Sequence, residues 1–185
     1  MRGVGRALRG AVMASVLVTV LIGGWAHAGT VEGTVVRVVD GDTVWVRADA
    51  AGNGTGRGSG SGSGSGRSAK PIKLRLQGID APERCQRWGA QSTAALTERV
   101  LHQRVQVHTR AKDDYQRTLG NLLLNGEDVS EWMVLQGHAW SYHYRHSHGP
   151  YADQEQAARG SRHGLFADAD AVEPRWFRRD HGPCD

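Results

Sequence analysis

Residues 49–69 constrain this chain more than any other stretch, because glycine, serine and alanine fill it almost to the exclusion of large side chains. Such a composition cannot offset the entropy of ordering, and it is expected to stay flexible. Between it and the leader described next lie only about 20 residues, too few to build a hydrophobic core alone. Strands in that short piece must therefore pair with chain beyond residue 69. The stretch is read as an enlarged loop inside one domain, not as a linker between two.

The beginning of the chain reads as an export signal. Arg2, Arg6 and Arg9 precede an apolar run from Ala11 to Ile22, followed by the small residues of Ala26-His27-Ala28. This is the pattern of a cleaved secretory leader over residues 1–28. The apolar run falls short of the roughly 20 residues of a spanning helix, which disfavours a membrane anchor. The leader carries three of the 23 basic residues and none of the 19 acidic ones, leaving 20 against 19. A mature chain with a net charge of about +1 attracts nucleic acid only through local clustering. Arg159, Arg162, Arg175, Arg178 and Arg179 are candidates for such a cluster, with a solvated helix face and polar tail as the alternative. Both cysteines, Cys85 and Cys184, lie beyond the leader. In an oxidising compartment they are expected to pair. The chain is expected to be periplasmic or secreted, a monomer, and free of the membrane once the leader is removed.

Valine-rich and threonine-rich runs at 31–39 and 43–48 read as strands around an Asp-Gly-Asp turn, and 72–76, 105–109 and 119–124 add three more. Helices are expected over 89–101, 129–136 and 152–162, the last two ended by Gly137 and Gly164. Residues 168–185 read as an irregular tail. Five short strands with about three helices suit an α+β domain over 29–167, built on a closed five-stranded barrel of the OB type.

Three turns carry the chemistry. Arg75-Leu-Gln-Gly-Ile-Asp80-Ala-Pro-Glu83 sets an arginine and two carboxylates at the end of one short strand, Asp40-Gly41-Asp42-Thr43 adds two more, and Asp113-Asp-Tyr-Gln-Arg117 brings a second arginine beside an aromatic. Two arginines among carboxylates, without a cysteine or serine nucleophile, point to metal-assisted chemistry on a phosphate. Each residue also has a plain structural role: Asp40 and Asp42 as turn formers, Arg75 facing solvent, Asp80 and Pro82 opening a helix.

These turns, with Gln136-Gly137-His-Ala-Trp-Ser-Tyr142-His-Tyr144, resemble the staphylococcal nuclease (thermonuclease) family, and the likeness runs from about Gly33 to Gly164 apart from the inserted loop. The resemblance implies a calcium-dependent nuclease acting on DNA or RNA and leaving 3′-phosphate ends. It implies Asp42 and Asp80 as carboxylate ligands of Ca2+, Ala81 as a backbone-carbonyl ligand, and Arg75, Glu83 and Arg117 as catalytic side chains. Tyr115, Tyr142 and Tyr144 fall where family members contact the nucleotide, and aromatic faces suit single-stranded or unstacked bases. Alanine at 81 stands where the best-known member has threonine, and Gln116 stands where glycine commonly precedes the second arginine. His143, His146 and His148 are left outside the site because their spacing is irregular. The alternatives are a non-catalytic nucleic-acid-binding module on the same barrel, and an exported OB-type module for oligosaccharide or protein.

Overall fold

The computed structural model describes residues 29–49, 70–113, 115, 117–145, 147–182 and 184. Residues 1–28, expected as a leader, residues 50–69 of the expected flexible loop, Gln116 and His146 lie outside the described residues.

Five strands close into a barrel, as the β-branched runs suggest. They are β1 (Thr30–Asp40), β2 (Thr43–Ala48), β3 (Ile72–Leu76), β5 (Arg104–Lys112) and β6 (Thr118–Leu124); β4 (Ile79–Asp80) lies between β3 and the first helix. Neighbours run β3-β2-β1-β5-β6, and a parallel pairing of β6 with β3 closes the ring. β1 serves two sides, pairing with β2 along one edge and with β5 along the other. Register shifts at Val35/Arg37 and Val38/Asp40 bend it between them, the usual device for turning a barrel corner. Inward-facing Val35, Val44, Val46, Leu74, Val107 and Leu122 are fully buried.

Helix α1 (Gly89–Val100) follows β4 and lays Leu96 and Val100 into the core. After β7 (Glu127–Asp128), helix α2 (Val129–Leu135) starts from an Asp128 cap whose carboxylate accepts the Ser130 N–H at 2.8 Å. β8 (Trp140–Ser141) pairs with β4, setting Asp80 opposite Trp140. Helix α3 (Ala152–Gly160) and the 3-10 turn Gly164–Ala167 pack a second small cluster of Trp140, Ala158, Leu165 and Phe166.

The tail differs from expectation: residues 174–181, within the stretch read as irregular, form helix α4 (Pro174–His181). Pro174 sits in its first turn, where a missing N–H costs nothing, and Gly182 ends it at φ 75°. A disulfide joins Cys85 to Cys184, their Cα atoms 5.7 Å apart, and brings the tail back to the segment after β4.

Leu74 is fully buried at the barrel centre, so Leu74→Ala is expected to lower the unfolding free energy by about 2–5 kcal/mol in urea titrations; a loss under about 1 kcal/mol would contradict that packing.

Candidate active site

The turn between β1 and β2 delivers the first carboxylates. Gly41 is packed so tightly that a Cβ there would strike the Ser92 hydroxyl and Ala81, which seats the turn on α1 and on the start of the 81–88 loop. Asp42 is buried; its Oδ1 accepts the Thr43 hydroxyl at 3.0 Å and its Oδ2 accepts the Ala81 N–H at 3.1 Å. β3 and β4 supply the next pair. Arg75 Nη2 lies 3.0 Å from Asp42 Oδ2 and 3.3 Å from Asp80 Oδ1, so one nitrogen bridges both carboxylates. Its Nη1 donates to the carbonyls of Leu76 at 2.9 Å and Ile79 at 3.0 Å. The guanidinium is thereby locked in plane at the end of its strand, as a bidentate fork requires.

Glu83 follows on a braced loop. Its N–H donates to Gln86 Oε1 at 3.1 Å while its carbonyl accepts the Gln86 N–H at 2.9 Å. Trp88 then takes a left-handed backbone (φ 71°), and Gly89 approaches the Glu83 carbonyl too closely for any side chain. A third guanidinium completes the cluster. Arg178, from α4, places Nη2 3.0 Å from Asp80 Oδ2 and Nη1 3.3 Å from Asp80 Oδ1 and 2.6 Å from Glu83 Oε1.

Burial pushes the Asp80 carboxyl above its ordinary value, opposed first by Arg178 and then by Arg75. Asp40, whose Oδ1 accepts the Asp42 N–H at 3.1 Å, is pushed up to about 6 by burial and then by the Asp42 charge.

Arg117 stands on the other side of an open cleft of about 760 Å3, whose lining includes Arg75, Arg110, Arg117, Tyr142 and Tyr144. Asp113 orients it, accepting the Arg117 N–H at 2.8 Å and Nε–H at 2.6 Å. Tyr115 lies under the same guanidinium, 5.3 Å from ring centre to Cζ. Tyr115 is 82% exposed, Tyr144 64% and Tyr142 48%.

The structure thus brings Asp42, Asp80, Ala81, Arg75 and Glu83 into one cluster, and sets Arg117, Tyr142 and Tyr144 along the cleft beside it, with Tyr115 against the Arg117 guanidinium outside the cleft lining. Among the described residues no three His, Cys, Asp or Glu side chains group as a metal site. Two buried carboxylates whose oxygens converge on a single cationic nitrogen nevertheless suit a hard divalent ion that fills its shell with backbone carbonyl and water. The donor chemistry therefore fits calcium.

A model of the family described as staphylococcal nuclease homologue matches residues 73–168, the span holding both arginine turns. The chain belongs to that family. A "Protein ParB" from Escherichia coli is 37% identical over 94% of this chain and 91% of its own length. A "Micrococcal nuclease" from Shigella flexneri is 33% identical over 94% and 92%. An "Uncharacterized endonuclease" from Escherichia coli O157:H7 is 33% identical over 80% and 85%. Each aligns far beyond the matched span, so the likeness extends outside the central turns.

Sequence reasoning gave neither Arg178 nor Asp113 its place here: Arg178 is read there only within a candidate basic cluster, and Asp113 only as the start of a turn. Asp113 had a local signal, an aspartate four residues ahead of the arginine it holds. Arg178 had a long-range one: pairing Cys184 with Cys85 brings the residues just before Cys184 next to Glu83.

Asp40 also yields a pH test. Its folded pKa lies above the ordinary 3.8, so the stability it supports is full below that value and is lost as pH rises through about 6. In metal-free buffer, Asp40→Asn is expected to match the wild type near pH 4 and to unfold at a higher denaturant midpoint by about pH 7.5. A gap that does not widen with pH would contradict the shift.

Proposed function

We propose that the protein is an exported nuclease that hydrolyses phosphodiester bonds of DNA or RNA with the help of calcium, leaving 3′-phosphate ends. The observation that carries this reading is the single Arg75 nitrogen bridging Asp42 and Asp80 next to Glu83, at the mouth of a cleft walled by a second arginine. The relatives named as nucleases, and family membership, support it.

In this reading Asp42, Asp80 and the Ala81 carbonyl hold the calcium ion. When bound, the ion neutralises charge on the phosphate. Glu83 orients a water molecule and takes its proton as the water oxygen attacks phosphorus in line. The bond from phosphorus to the 5′-oxygen breaks, the 5′-oxygen gains a proton from solvent, and the phosphate remains on the 3′ side. Arg75 and Arg117 brace the charge that builds on the phosphoryl oxygens. A guanidinium fork gives two parallel hydrogen bonds, which an ammonium cannot. The exposed faces of Tyr115, Tyr142 and Tyr144 stack on bases without demanding a sequence. The Cys85–Cys184 disulfide agrees with export into an oxidising compartment.

Release of acid-soluble nucleotides from single-stranded DNA and RNA is expected with calcium and not with chelator. Glu83→Gln is expected to lower turnover by about 10²–10⁴-fold, and Arg75→Lys by about 10²-fold or more. Tight binding without release under any metal would move the reading to a non-catalytic nucleic-acid-binding module.

A further inference from the structure

The site just described already holds a cation of its own. Arg178 covers both oxygens of Asp80 and one of Glu83, which leaves the guanidinium where a divalent ion on Asp80 has to sit. It does not come from the barrel. It comes from α4, whose described residues are buried at Pro174 alone, so apolar packing does little to seat that helix. Two anchors hold it instead, both on the loop that carries Glu83. Gln86 Nε2 donates to the Val172 carbonyl at 2.6 Å ahead of the helix, and the Cys85–Cys184 disulfide ties the chain behind it.

A strap fixed at both ends keeps its arginine at high effective concentration over the carboxylates. Arg75 reaches only Oδ1 of Asp80, whereas Arg178 takes both oxygens, the acceptor positions a divalent ion on Asp80 needs. Arg178 and a divalent ion therefore compete for the same oxygens, and each weakens the other.

We propose that α4 is a tethered strap whose Arg178 acts as a built-in cation, neutralising Asp80 and Glu83 until calcium displaces it, with the Cys85–Cys184 bridge setting how firmly it is seated. The proposal rests on Asp80 being a calcium ligand. It assigns a role to Arg178 that a solvated basic patch does not have. The neighbouring guanidiniums behave differently: Arg175 and Arg179 flank Trp176, at 4.9 and 4.6 Å from its ring, and pair with Glu173 and Asp180. Among these three arginines of α4, only Arg178 is ion-paired to the site.

Calorimetric titration of calcium chloride into wild type, Arg178→Met, Arg178→Lys and Cys85→Ser/Cys184→Ser tests it. A strap docked in nine of ten molecules weakens apparent calcium affinity about tenfold, so Arg178→Met is expected to bind calcium about tenfold tighter. Arg178→Lys, which keeps the charge without the fork, is expected to fall between. The cysteine variant is expected to shift the same way by less, and adding Arg178→Met to it is expected to bring the affinity level with that of Arg178→Met alone. Hydrogen exchange on the unaltered protein gives an independent readout: calcium should speed exchange of the amides at 175–181 about tenfold. Unchanged or weaker calcium binding in Arg178→Met, or exchange at 175–181 that calcium leaves alone, overturns the strap while leaving the nuclease reading intact. Absence of calcium binding in wild type and Arg178→Met alike removes the calcium reading and the strap together.

Discussion

The bridge from Arg75 to Asp42 and Asp80 is the interaction on which the rest of the site depends. Two buried carboxylates on adjoining turns repel each other and resist desolvation, and the arrangement holds only with a well-fixed countercharge between them. Arg75 is fixed because its other terminal nitrogen is committed to the carbonyls of Leu76 and Ile79. The guanidinium thus ties the β1–β2 turn, the end of β3 and the start of β4 together. Barrel closure by β6 on β3, with Arg75 level with Leu119, sets the far wall of the cleft at the same height.

The loop after β4 is the second organising element. Glu83, Cys85, Gln86 and Gly89 follow one another within seven residues, and they contribute in turn a carboxylate for the site, a covalent tie, a side-chain brace and a close backbone approach. Gln86 serves twice, holding the Glu83 backbone through Oε1 and the Val172 carbonyl through Nε2. The geometry of Glu83 is therefore coupled to the placement of α4. A chain segment distant in sequence becomes part of the charge balance at the site.

The barrel was legible because β-branched alternation marks strands directly, and all five expected runs are strands within two or three residues of their bounds. The pair β4–β8 was not, since two residues carry no periodicity and their pairing is created by the fold. Helix α4 was hidden for another reason: arginines, an aspartate and a histidine dominate Pro174–His181, and its seat is covalent and ionic more than apolar. The convergence of Arg75, Asp42, Asp80 and Glu83 follows from turns the sequence displays. That Arg178 turns inward while Arg175 and Arg179 stack outward on Trp176 depends on where the tail is tied, which local sequence does not encode.

If this cluster directs water onto a phosphodiester so that the 5′-oxygen leaves, the fate of the water oxygen reveals it. Mass spectrometry of the fragments made from a defined single-stranded oligonucleotide, with calcium in ¹⁸O-labelled water, follows that atom. One ¹⁸O atom is expected in a phosphate on the 3′ end of the upstream fragment, with an unlabelled 5′-hydroxyl on the downstream one. Intact oligonucleotide, or label in a 5′-phosphate, would contradict the proposed attack.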